Sequence, residues 1–203
     1  MKISSGDLKL SETKFRWKGS KYKILDIKSI YYYQSLTSHN LNGLPLLKIG
    51  EASMAILKFK MDSGTKVKIK FDEETWFKGF YKNKQKEIEA LQKIYSYVAE
   101  KTFKKRAMPY AKQYKENDYF EYDKCRFYPK LKKVIWRNKD FLYDDYEWIR
   151  YYGSIKFKKR GMSLLSKLAK EFSLASSPGF STLTDTDVIF WMIHGTFGLS
   201  WKN

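Results

Sequence analysis

The chain has one cysteine and two histidines, and each shortage closes off a class of protein. Cys125 alone leaves no partner for an internal disulfide and no multi-cysteine metal site, which fits a reducing compartment. It alternates with Phe127 in a strand-like run, the place of a packed thiol rather than a nucleophile. Nucleophilic catalysis needs a base beside the nucleophile, and only His39 and His194 are on offer. His39 falls in a polar stretch read as a loop, and His194 closes an apolar helix, so surface or capping roles are expected for both. No catalytic residues and no cofactor are assigned. The longest strongly apolar run, Val188 to Ile193, is far short of the roughly 20 residues needed to span a bilayer. The opening Met1-Lys2-Ile3-Ser4-Ser5-Gly6 carries no apolar leader. The expectation is a cytoplasmic protein, at most peripheral to a membrane. A glycine loop of the phosphate-cradling kind is also missing.

What the chain does have is charge of one sign. Forty Lys plus Arg stand against 22 Asp plus Glu, a formal net charge of +18. Such an excess favours polyanionic partners: an anionic membrane surface, an acidic protein or nucleic acid. Arginine occurs only at Arg16, Arg106, Arg126, Arg137, Arg150 and Arg160. Bidentate recognition of phosphates or bases prefers guanidinium, so a lysine-dominated excess reads as a diffuse field. An AT-rich coding bias toward Lys, Tyr, Phe, Ile and Asn is the rival explanation. Hydrophobic content of 43% with 18% aromatic is too rich for a disordered chain. At 203 residues, two modules of about 100 are expected, 1–108 and 109–203.

Residues 55–71 are the clearest segment. Leu57, Phe59, Met61, Val67, Ile69 and Phe71 alternate with Lys58, Lys60, Lys66, Lys68 and Lys70 about an Asp62-Ser63-Gly64 turn. Period two places the two sets on opposite faces of a hairpin, one face for a core and one carrying five lysines. A second hairpin is read in residues 14–24 about Gly19-Ser20, and residues 34–50, rich in Ser, Asn, Gly and Pro, read as a long connection. From about Lys84 the period lengthens to 3.6, with Ile88, Leu91, Ile94, Tyr95, Val98 and Thr102 on one helical stripe; the pattern can run on through Ala107, Tyr110, Ala111 and Tyr114, but Pro109 is expected to kink or end the helix near Met108. Strands return at 119–122, 125–128, 134–136, 141–143 and 155–158. A helix is expected over 163–174, and a last, buried helix from Thr184, capped by Thr-Asp-Thr-Asp and stopped near Gly195 and Gly198. The fold class is α+β, with antiparallel sheet modules each closed by an amphipathic helix. Both halves place strands first and a helix last, and Lys14-Phe15-Arg16-Trp17 matches Cys125-Arg126-Phe127-Tyr128 as a degenerate duplication.

The hairpin at 14–24, the step Asp26-Ile27-Lys28-Ser29-Ile30, the Asp62-Ser63-Gly64 tip and the helix from Glu87 to Phe103 together resemble bacterial members of the pleckstrin-homology-like superfamily over residues 8–106. The resemblance implies a partly open barrel closed by a helix, with the second half a divergent copy. In lipid-binding members, headgroups are held by basic residues in and beside the first strand pair. The matching positions here are Lys14, Arg16, Lys18, Lys21 and Lys23. Ammonium groups and the backbone N–H groups of a Gly/Ser turn suit phosphate. A solvated strand face that discourages edge pairing is the plainer alternative.

Three acidic groups remain, and none has metal-ligand spacing. Asp72-Glu73-Glu74 opens a loop, Asp144-Asp145-Glu147 sits in a turn, and Asp185-Asp187 supplies first-turn helix charge. A metal-dependent nuclease is the least favoured function, although Asp26-Ile27-Lys28 and Glu12-Thr13-Lys14 meet a loose carboxylate-x-lysine rule. The leading expectation is a non-enzymatic interaction or adaptor module whose basic face meets anionic lipid headgroups or an acidic protein. A nucleic-acid-binding accessory protein, with Phe15-Arg16-Trp17-Lys18 and Tyr128 to Trp136 as stacking platforms, is the alternative.

Overall fold

A computed structural model of the chain describes residues 3–5, 7–40, 48–76, 85–151, 153–160 and 178–198. It is α+β and divides into two compact units, Met1–Phe103 and Lys104–Asn203.

In the first unit, strands β1 (Ile3–Ser5), β2 (Leu8–Leu10), β3 (Lys14–Trp17) and β4 (Ser20–Lys23) form an antiparallel sheet in chain order. A 3-10 turn at Ile24–Asp26 leads into β5 (Ile27–Asn40), β6 (Lys48–Met61) and β7 (Lys66–Trp76), a second antiparallel sheet in chain order. Gly64 closes the β6–β7 hairpin at φ +85, with its N–H on Met61 O, a left-handed position that a three-residue loop reserves for glycine. Both sheets turn their apolar sides to one core. Leu8, Leu10 and Phe15 enter it from the first sheet, Ile30, Leu57, Phe59, Val67 and Ile69 from the second. Helix α1 (Gln85–Asn117) lays Ile88, Leu91, Ile94 and Val98 on that core, and Tyr95 stacks on Tyr32 at 4.5 Å between ring centroids. Each buried Leu, Ile or Phe contributes about 1.5–3 kcal/mol.

Three expectations change here. The long connection expected at 34–50 is strand on both sides: Gln34 pairs with Ala55 and His39 with Gly50, and only 41–47 lies outside the described residues. His39 is therefore on β5. Asp72, Glu73 and Glu74 do not open a loop but continue β7, opposite Met54, Ser53 and Ala52. Pro109 does not end the helix, which continues to Asn117. Arg106 and Ala107 are buried on one side of the proline and Tyr110 and Ala111 partly buried on the other, so tertiary contacts on both flanks offset its penalty of about 3 kcal/mol.

The second unit opens with β8 (Phe120–Tyr122), β9 (Cys125–Tyr128), β10 (Lys133–Trp136) and β11 (Lys139–Leu142), again a four-stranded meander. Strands β12 (Tyr146–Tyr151), β13 (Ser154–Lys159) and β14 (Gly179–Ser181) make a three-stranded one. Sequence reasoning missed β12 and β14, and placed Glu147 in a turn when it lies on β12. A Cβ on Gly179 would meet Ile155 O at 2.1 Å, so β14 lies against β13 where only glycine fits. Rings fill this core: Phe120 stacks on Phe127 at 4.8 Å, and Phe180 meets Phe127 edge-on at 5.1 Å. No closed barrel forms among the described strands of either unit; each sheet is separately hydrogen-bonded.

Helix α2 (Thr186–Phe197) starts two residues later than Thr184 and runs through Gly195 to Gly198, whose φ of +68 ends it. Val188, Ile189, Met192 and Ile193 are buried, but Trp191 is half exposed, so the helix is not buried all round. The helix expected at 163–174 lies outside the described residues.

Candidate functional site

The ten basic positions singled out in the sequence fall into two groups, both in the first unit. On the three-stranded sheet, Lys58, Lys60, Lys66, Lys68 and Lys70 are all exposed, while Leu57, Phe59, Met61, Val67 and Ile69 behind them are buried. The register sets Lys58 directly across from Lys68, and Lys60 across from Lys66. With strands about 4.8 Å apart and successive same-face residues about 6.7 Å apart, these ammonium groups share one small field. Among the described residues no carboxylate is ion-paired with Lys58, Lys60, Lys66 or Lys68. Tyr31 stands beside Lys58 in the ladder, and the Lys58 ammonium lies 4.3 Å from its ring centroid. Burial, then the neighbouring Tyr33, pushes the Tyr31 hydroxyl above its ordinary pKa, keeping that ring a neutral cation acceptor.

Like charges directly opposite on a sheet cost a few tenths to about 1 kcal/mol per pair. Lys68→Glu is therefore expected to raise the thermal midpoint of the chain by replacing a repulsive pair with an attractive one. A melt with a midpoint below wild type would show that the Lys58–Lys68 pair carries no such strain.

The second group is on the four-stranded sheet. Lys14 faces Lys23 and Arg16 faces Lys21, all four exposed on one side, with Phe15 buried on the other. Lys18 is not on that face. It occupies the two-residue turn at φ +47, with its ammonium 5.6 Å from the Trp17 ring centroid. Arg16 Nε donates to Gly19 O at 3.2 Å, which ties its side chain toward the same turn. Sequence reasoning missed Lys9, which pairs with Arg16 and is exposed between buried Leu8 and Leu10. The Leu-Lys-Leu alternation was the signal available. Both sheets thus keep their basic side exposed and their apolar side in one core.

Among proteins already known, the chain matches no family model, no curated sequence and no solved structure.

Outside these faces, the chemistry-bearing residues have local explanations. Cys125 is buried, and burial followed by the Asp123 charge pushes its thiol up to about 12, which keeps it protonated and a poor nucleophile. His194 is exposed in the last turn of α2, where its carbonyl accepts the Gly198 N–H. Asp185 and Asp187 are not merely helix N-terminal charge. Arg106, fully buried, donates to Asp185 Oδ1 at 3.0 Å and grips both Asp187 oxygens at 2.7 and 2.5 Å. Burial alone would push the guanidinium pKa down, but the hydrogen bonds and charges of Asp187 and Asp185 outweigh it and the net direction is up. Asp185 is the N-cap residue at φ +47 and makes no side-chain cap bond, because its carboxylate is engaged by the arginine. No group of three or more metal-ligating side chains occurs among the described residues, and no helix among them is long and apolar enough to cross a membrane.

Proposed function

We propose that the chain is a non-enzymatic interaction module built of two pleckstrin-homology-like units, which associates peripherally with anionic membrane surfaces through the basic sheet faces of the first unit. What supports this reading is the order of the first unit, a four-stranded and then a three-stranded antiparallel meander followed by a helix. The observation that carries the functional reading is the field of Lys58, Lys60, Lys66 and Lys68, like charges set face to face with no carboxylate paired to them among the described residues. A flat lysine field suits a surface of many headgroups: each ammonium adds about 1 kcal/mol near an anionic bilayer without needing fixed geometry. The field falls off within a Debye length, about 8 Å at physiological salt, so association is salt-sensitive.

Sedimentation with phosphatidylserine-containing vesicles tests this. Binding at low ionic strength that weakens as salt rises supports it; no binding at low ionic strength refutes it. Tyr31 and Tyr33 on the lysine face favour single-stranded nucleic acid as the second reading, because bases stack on aromatic rings at about 1–3 kcal/mol each. A gel shift that is lost in Tyr31→Ala, with vesicle binding absent, selects that reading instead.

A further inference from the structure

We infer that the two units are copies of one module, and that membrane-facing charge persists in the first copy while the second has neutralised the equivalent face with its own carboxylates. The equivalence is residue by residue. Both units run through a four-stranded meander, a corner, a three-stranded meander and a helix. At the start of each corner, Ile24 N–H bonds Thr13 O at 2.9 Å, and Tyr143 N–H bonds Lys132 O at 2.8 Å. At its end, Asp62 N–H bonds Asp26 O at 2.8 Å, and Arg160 N–H bonds Asp145 O at 2.8 Å. One constant offset relates Thr13, Ile24 and Asp26 to Lys132, Tyr143 and Asp145. The same offset superposes Lys14–Trp17 on Lys133–Trp136 and the turn Lys18-Gly19 on Arg137-Asn138, each at positive φ on both residues. Pairing then matches Leu57-Lys58-Phe59-Lys60 with Ile155-Lys156-Phe157-Lys158, Phe59 and Phe157 both buried. It also reassigns the echo seen in the sequence: β3 corresponds to β10, and Cys125–Tyr128 to the strand before it.

With positions aligned, charges can be compared one to one. The row Ser4, Lys9, Arg16, Lys21 across the first sheet corresponds to Glu121, Arg126, Ile135, Asp140 across the second. Arg126 is held by Glu121, with Nη2 at 2.8 Å and Nε at 2.9 Å, and Lys133 by Asp140 at 3.0 Å. Lys23 becomes Leu142. On the three-stranded sheets, Ser29 becomes Glu147, directly across from Lys158, while Lys68 and Lys70 become Gly179 and Ser181. Across these rows five positions of the second copy thus lose a cation, and three gain an anion.

Because it rests on membrane association of the first unit, the test is run on the full chain with the same phosphatidylserine vesicles. Arg126→Gln with Lys133→Gln, Lys156→Gln and Lys158→Gln is expected to leave partitioning within about twofold of wild type, because the neighbouring carboxylates Glu121, Asp140 and Glu147 already offset the charge of that face. The converse graft, Glu121→Ser with Asp140→Lys, gives the second copy the residues of the first and is expected to strengthen partitioning about tenfold or more. Circular dichroism confirms that both variants fold; should the graft fail to fold, Asp140→Asn with Glu121→Gln carries the same test with a smaller gain. A graft that adds nothing to a wild type that binds overturns this inference alone, as does a large loss in the four-fold glutamine variant. A wild type that ignores the vesicles overturns the membrane reading and this inference together.

Discussion

Arg106→Ala is expected to destabilise the second unit by about 3–5 kcal/mol, because it strands the buried Asp185 carboxylate without its cation. Total stability of a domain this size is about 5–15 kcal/mol, so the thermal midpoint should fall by more than about 10 °C. Three consequences separate this from simple loss of packing. Arg106→Lys keeps the charge but cannot grip both Asp187 oxygens, and should land between alanine and wild type. Arg106→Met combined with Asp185→Asn and Asp187→Asn should recover much of the loss, since a neutral trio leaves no charge buried and unpaired. The left-handed conformation of Asp185, worth of order 1–3 kcal/mol of strain, should relax when its partner is removed, fraying the start of α2 in hydrogen exchange. An alanine variant within about 1 kcal/mol of wild type would mean that the arginine is solvated.

Converting Lys58, Lys60, Lys66, Lys68 and Lys70 together to glutamine is expected to lower partitioning onto anionic vesicles by about a hundredfold or more, at roughly 1 kcal/mol per ammonium. Stability should move the other way. Two like-charge pairs disappear, the buried partners Leu57, Phe59, Val67 and Ile69 are untouched, and the melt should stay level or rise. Binding and stability changing with opposite signs is the mark of charge kept for a partner. A variant that binds as wild type moves the membrane contact to the face of Lys9, Lys14, Arg16, Lys21 and Lys23. Loss of binding with loss of stability would make the lysines part of the fold instead.

How much of this was legible in the sequence varies by segment, for physical reasons. The β6–β7 hairpin was plain because every second residue from Leu57 to Met61 and from Val67 to Phe71 is apolar and its neighbours are charged. The far ends of β5 and β6 were not, because Ser35, Thr37, Ser38, Gly50 and Ser53 have the composition of a loop and are drawn into the ladder by their partners. Helix α1 was found, with its run past Pro109 left open: the local rule about proline lost to the hold on Arg106 by residues far along the chain. The same distance hid the Arg106 network, since Asp185 is 79 residues away. A clue existed. Val98, Thr102 and Arg106 continue one helical stripe at four-residue steps, and a cation at the end of a buried stripe asks for an acid. Of the ten basic positions, the alternation rule placed the five lysines of β6 and β7; the five around the first hairpin came from the resemblance, and of these Lys18 lies in the turn, a conformation no pattern of polarity encodes.

Cys125 gives the molecule a built-in clock. It is the chain's single thiol, it lies in the second unit, and it is shut away in protonated form. A maleimide can therefore react only when β9 leaves its neighbours, so the alkylation rate reports the breathing of one half of the protein while the other half stays silent.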